Sequence, residues 1–331
     1  MADHVSGILD GLIHRADLDA LVRHVDDTCS SRDWEHLVRI RDAARSAVGT
    51  GRQLWPITTL ANHRLALWAP AHHAVRALDD TARTFMPGPV SEILAVHHTW
   101  DDLAPHLPRG HDRSLVAHER ALRGDAVPGD EESVLDMPFV VQSWEPAYTA
   151  AAYGDDGVVD AAPVLPVSRR AAPAAGAPPV LLDDDETVTA FRSLMEVWTS
   201  QSNGTAWCSV VEGGIAEALA LAGEGTLWEP VDGRDALSLL AWAGSSGGAH
   251  GRRRGLATGR SFAWWFLATF AGITGPRGFA PGELGEVVAT LRCAVFGPPG
   301  AGGGDGEWSV RLVLEDPQEG VACIAVADDF S

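Results

Sequence analysis

Twelve consecutive residues, Phe262 to Ile273, read FAWWFLATFAGI and carry almost no polar side chain. A run of this length falls short of the about 20 residues needed to cross a bilayer, so it has to be enclosed by protein as a core helix. The rest of the chain must then supply apolar faces to wrap it. The residues leading into it are of the opposite kind: Ser245 to Arg260 reads SSGGAHGRRRGLATGR, a glycine-crowded loop with arginines at the entry to the helix. Between Ala236 and Gly282 there is no Asp or Glu, although Arg252, Arg253, Arg254, Arg260 and Arg277 lie inside, in a chain of formal net charge −20.

At 331 residues the chain exceeds one compact core and accommodates two domains. Its acidic balance argues against broad binding to duplex nucleic acid, which relies on many cationic phosphate contacts. All 25 basic residues are arginine. Without lysine, Schiff-base catalysis, a P-loop and the ATP-pairing lysine of a protein kinase are excluded. Cys29, Cys208, Cys293 and Cys323 form no C-x-x-C pair, so buried free thiols are expected rather than a zinc ribbon or a dithiol centre. The N-terminus MADHVSGILDGLIHRADLDA sets acids where a signal peptide needs a basic start and an apolar centre. With no spanning run, the expectation is a cytoplasmic protein that does not enter a membrane.

In chain order, residues 1–125 predict an antiparallel array of helices. Leu18, Leu21, Val22 and Val25 recur at helical spacing, as do Trp34, Leu37, Val38, Ile40 and Ala44 behind a candidate N-cap, Asp33. A further helix spans Leu54 to Leu67, with Pro56 in its first turn and Pro70 ending it. Residues 126–186 are rich in Pro, Ala and Gly and predict an exposed, protease-sensitive connector with one edge strand at Met137 to Gln142. Residues 187–331 predict an α+β domain: a strand at Ala206 to Val211, helices at Ile215 to Ala222 and Asp235 to Gly244, the arginine stretch, a further element at Glu283 to Phe296, and a terminal hairpin around DPQEG. The class is α+β, mostly α, with a small sheet confined to the C-terminal part.

The strings RQLWPI, LVAHERALRG, QSWEPAY and GGAHGRRRG followed by AWW resemble an actinobacterial family of uncharacterised proteins. The resemblance implies that the arginine stretch is a family feature, and it implies no chemistry.

Candidate sites follow from residue type and spacing. Gly247, Gly248, Gly251 and Gly255 free the backbone, and a helix starting near Arg252 would turn its first N–H groups toward the same space. Guanidinium forks and helix N-termini both attract phosphate or carboxylate. Arg252, Arg253, Arg254 and Arg260, with Gly248 and Gly251, are therefore candidate anion ligands, with His250 as candidate acid or base. The internal alternative is that these arginines hold the chain's own carboxylates. His97, His98, Asp101 and Asp102 are weak candidates for a metal, since on one helix each His would lie over an acid four residues on. Their bland alternative is helix-end hydrogen bonding. The Val210-Val-Glu212-Gly-Gly turn lacks the G-x-G-x-x-G spacing of a dinucleotide site, so no cofactor is expected. Two functions result: an interaction or ligand-binding protein latching a protein partner or an acidic or phosphorylated small molecule, and an enzyme acting on such a molecule through His250. An enclosed His250 beside the arginines supports catalysis; an exposed one removes it.

Overall fold

The computed structural model describes residues 2–79, 86–160, 162–165, 170–176, 178–275, 278–297 and 308–330. Arg277 lies outside them. Contacts divide the chain into two compact units, Met1–Glu132 with Ala152–Val159, and Ser133–Ala151 with Asp160–Ser331.

The first unit is a helical array: α1 Ala2–Arg15, α2 Leu18–Ser30, α3 Trp34–Gly49, α4 Trp55–Trp68, α5 Ala71–Ala74 running into a 3₁₀ turn, α6 Val90–His97, α7 Trp100–Leu103 and α8 His111–Leu122. Caps set the starts. Asp17 accepts from Ala20 N and Asp33 accepts from His36 N, while Pro56 sits in the first turn of α4, where no helical N–H is lost. Leu21, Val25, Leu37, Ile40 and Ala44 are fully enclosed, so these members of the periodic stripes form the faces that pack, whereas Leu18 and Val22, read into the same stripe of α2, are exposed. A two-stranded hairpin, β1 Ala152–Gly154 and β2 Gly157–Val159, belongs to this unit. Tyr153 anchors it, donating its hydroxyl to Glu92 Oε2 at 2.5 Å inside the core.

The second unit comprises β3 Arg170–Ala171, β4 Val180–Leu182, α9 Asp185–Leu194, α10 Glu196–Gln201, β5 Thr205–Glu212, α11 Ile215–Ala220, β6 Leu227–Val231, α12 Gly233–Ser245, α13 Leu256–Phe270, α14 Pro281–Thr290, β7 Arg292–Gly297, β8 Trp308–Asp316 and β9 Val321–Asp329. Its seven strands are all antiparallel, in the order β3-β6-β7-β8-β9-β5-β4. Alternation along β8 is the organising device. Val310, Leu312 and Leu314 join the larger core with α9, α12, α13 and α14, whereas Val313 faces α11 on the opposite side. The apolar run forms α13 and is enclosed there, with Trp264 2% exposed. Among the described residues no helix is long and apolar enough to cross a membrane.

The architecture is α+β with a helical N-terminus and its strands toward the C-terminus, as the sequence predicts. The segment expected to be a spacer is divided between the two units. Residues 133–151 pack in the second unit, where Met137, Phe139 and Glu145 are buried. No strand forms at Met137 to Gln142; the edge strands are β3 and β4. The element expected over Glu283 to Phe296 is two elements, α14 and β7, separated at Leu291.

Candidate functional site

The glycine–arginine junction comes first. Helix α13 begins at Leu256, not near Arg252, with Gly255 in the left-handed region (φ +92) just before it. Arg252, Arg253 and Arg254 therefore precede the helix, and Arg260 is the one candidate arginine within it. Arg260 is 0% exposed and holds Glu145 in a fork, Nε to Oε2 at 2.6 Å and Nη2 to Oε1 at 2.7 Å. Its remaining N–H groups reach the carbonyls of Pro138 and Val140, and its plane lies 4.7 Å from the Trp264 ring centroid. Glu145 also accepts from Gln142 N, Tyr148 Oη and Trp264 Nε1. Burial, with Glu145 alongside, raises the Tyr148 phenol well above its usual range.

Arg253 is buried and paired with Asp160. Arg254 donates to the carbonyls of Ser193 and Leu194 and lies over the Phe262 ring. Arg252 is exposed, its backbone N–H meeting Gln201 Oε1 at 3.4 Å. Gly248 (φ +66) accommodates a third internal carboxylate: Asp329, from the end of β9, accepts from Ala249 N at 2.6 Å, and a Cβ on Gly248 would lie 2.1 Å from its Oδ2. A Cβ on Gly251 would meet Gly247 O at 2.4 Å, so this part of the loop is closed on itself. His250 is exposed, with its N–H on Ser202 Oγ. Three carboxylates of the chain thus meet this junction, Glu145 on Arg260, Asp160 on Arg253 and Asp329 on the glycine loop, and His250 is exposed. The helix start after Glu212 is also filled from within: Ile215 N donates to Glu315 and Gly214 N to Glu217.

His97, His98, Asp101 and Asp102 do not share a helix. Helix α6 ends at His97, and the extended Thr99 starts α7 through a capping box with Asp102, which breaks the four-residue spacing. His97 instead stacks on Trp68. Among the described residues no three His, Cys, Asp or Glu side chains come together to hold a metal ion.

A concave feature lined by charged and aromatic groups lies in the helical unit. A cleft of about 620 Å³ is lined by Asp26, Cys29 and Ser30 from the end of α2, Arg32 and Trp34 from the following turn and helix, Arg64 and Trp68 from α4, Pro70, and Asp155 from the β1–β2 turn. Asp155 organises one wall: its Oδ1 accepts from Arg64 Nη1 at 2.5 Å and from Trp68 Nε1 at 2.9 Å. Arg64 Nη2 reaches Asp26 at 3.4 Å. One face of Trp68 is stacked on His97, with ring centroids 4.8 Å apart and planes at 22°. Trp68 as a residue is nevertheless 43% exposed. It is pinned and still partly open.

Arg32 closes α2. Asp33 N bonds Thr28 O at 3.1 Å and Arg32 N bonds Cys29 O at 3.0 Å, the paired bonds of a Schellman turn, with Arg32 at φ +57 where glycine is usual. A left-handed arginine costs on the order of 1 kcal/mol relative to glycine. Ala16 ends α1 by the same turn (φ +50), so the conformation belongs to the turn and the guanidinium is what distinguishes Arg32. That guanidinium is exposed and makes no side-chain hydrogen bond or ion pair among the described residues. Burial pushes the Cys29 thiol up, with Asp155 and Asp26 adding to this against the opposing pull of Arg64. A thiol held protonated is a poor nucleophile.

The chain belongs to the family described as Family of unknown function (DUF6183), whose model matches residues 19–308. No curated protein and no solved structure matches it.

Proposed function

We propose that this chain is a binding protein without catalytic activity and that the cleft of the helical unit is where it takes a small ligand. The observation that carries this is Trp68: stacked on His97, tethered by Asp155 and still partly open, it is an aromatic surface held ready before a ligand arrives. Rings fixed in advance lose little freedom on binding. The volume falls within the range of small-molecule sites, and the lining mixes two indoles with charged groups of both signs. His250, the acid or base of the enzyme reading, is exposed, which favours binding over catalysis there. The reading places the chain in the cytoplasm, where its four free cysteines stay reduced.

Melting temperatures of the wild type and of Trp68→Ala, in a set of amino acids, carboxylic acids, nucleosides and sugars, test it. Ligand at about one hundred times its Kd adds ~2.7 kcal/mol to the folded state. The reading predicts at least one compound that stabilises the wild type and leaves Trp68→Ala unmoved. A set in which nothing stabilises the wild type, or in which every stabilising compound acts equally on Trp68→Ala, overturns it.

A further inference from the structure

Resting on that reading of the cleft, we infer that its ligand is a small zwitterion bearing a planar ring, with its carboxylate on Arg32, its ammonium on Asp26 and its ring on Trp68. The argument begins from charge. Arg32 and Arg64 are balanced by Asp26 and Asp155, so the cleft offers no net attraction to a phosphate dianion, and a chain of formal net charge −20 repels one further. A neutral ligand with separated charges matches a neutral cleft with separated charges.

The four groups are not equally available. Arg64 and Asp155 are joined at 2.5 Å, and Asp155 also holds Trp68, so this pair is the frame of the site. Asp26 is left with one long contact at 3.4 Å and a side chain 49% exposed. Arg32 makes no side-chain hydrogen bond or ion pair among the described residues. One free cation and one nearly free anion therefore line the same cleft as the partly open Trp68. A guanidinium binds a carboxylate through two parallel N–H donors, a carboxylate accepts from an ammonium, and an indole stacks on a ring. With Arg64 and Asp155 offsetting each other, an acid lacking the ammonium would leave Asp26 without a cation, and an amine lacking the carboxylate would leave Arg32 without an anion.

Calorimetric titration with L-phenylalanine, N-acetyl-L-phenylalanine and L-phenylalaninamide separates these contributions. L-phenylalanine should bind about tenfold more tightly than either analogue. Arg32→Gly should melt above the wild type, because glycine relieves the left-handed turn, yet bind L-phenylalanine about tenfold more weakly and lose its preference for the zwitterion over the amide. Since this variant is expected to be the more stable one, loss of binding is not loss of fold. An analogue that binds as well as L-phenylalanine overturns the zwitterion and leaves the cleft standing. So does silence from all three probes while a compound that is not a ring-bearing zwitterion stabilises the wild type through Trp68; a different ring-bearing zwitterion doing so supports the inference. Silence from the three together with failure of every compound in the melting set overturns the cleft itself.

Discussion

Replacing Arg260 by alanine should lower the stability of the second unit by about 3–5 kcal/mol, because it strips a buried carboxylate of its cation. Both side chains of the Arg260–Glu145 pair are 0% exposed. Glu145 would keep its bonds to Gln142 N, Tyr148 and Trp264, but none of these carries charge. Replacing the charge on both sides removes the stranded charge as well, so Arg260→Met with Glu145→Gln, which keeps a side-chain oxygen for those donors, should recover part of the loss in denaturant unfolding. A change below ~1 kcal/mol for Arg260→Ala, within the range of ordinary surface substitutions and weak pairs, would contradict the enclosed fork. The same pairing predicts that phosphate and chloride at low millimolar concentration leave the wild-type melting temperature alike.

Gly259→Ala should destabilise by about 3 kcal/mol or more, at the upper end of overpacking effects. Its added methyl would stand 2.3 Å from Ala241 O and 2.5 Å from Ser245 N, both backbone atoms of α12 that cannot rotate away. Helices α12 and α13 would have to separate, opening the core around Trp264 and Leu240. Gly49→Ala provides the opposite sign. Nothing lies within 4 Å of its added Cβ, and an alanine at a helix end should stabilise by about 0.5–1 kcal/mol through the unfolded chain. If both substitutions destabilise equally in urea, the close crossing of α12 and α13 is not as described.

Much of the fold is legible in local pattern. Asp33 before an apolar stripe, Pro56 inside a helix start and Pro70 after its end mark α3 and α4 almost to the residue, because caps and proline act within a few positions. The terminal hairpin follows from alternation around a turn. What escapes is whatever depends on distant partners. Residues 133–151 read as spacer because prolines dominate, yet Glu145 is fixed there by an arginine 115 positions on. The Asp156–Gly157 turn is a hairpin signal hidden in a segment that otherwise looks featureless. Thr99 and Asp102 spell a capping box, which was available to show that His97 and His98 do not continue into Asp101. The arginine stretch was legible as a cluster needing anions, with internal and external sources both open, and the structure supplies Glu145, Asp160 and Asp329. The cleft was not legible, since its lining comes from α2, the α2–α3 turn, α3, α4 and the β1–β2 hairpin, and only folding brings these together.

Cys29 allows the claim that the helical unit holds the binding site to be tested most directly. It lines the cleft and is partly exposed, whereas Cys208, Cys293 and Cys323 are buried. Iodoacetamide applied to the native protein should therefore label Cys29 alone, and faster as the pH is raised, since burial holds this thiol protonated beyond its ordinary range. With saturating L-phenylalanine, or with whichever compound most raises the melting temperature, labelling of Cys29 should slow by about tenfold, the protection expected when ligand occupies about nine-tenths of the sites. Labelling of Cys29 at an unchanged rate, while that compound still stabilises the protein, would place binding elsewhere and contradict the account.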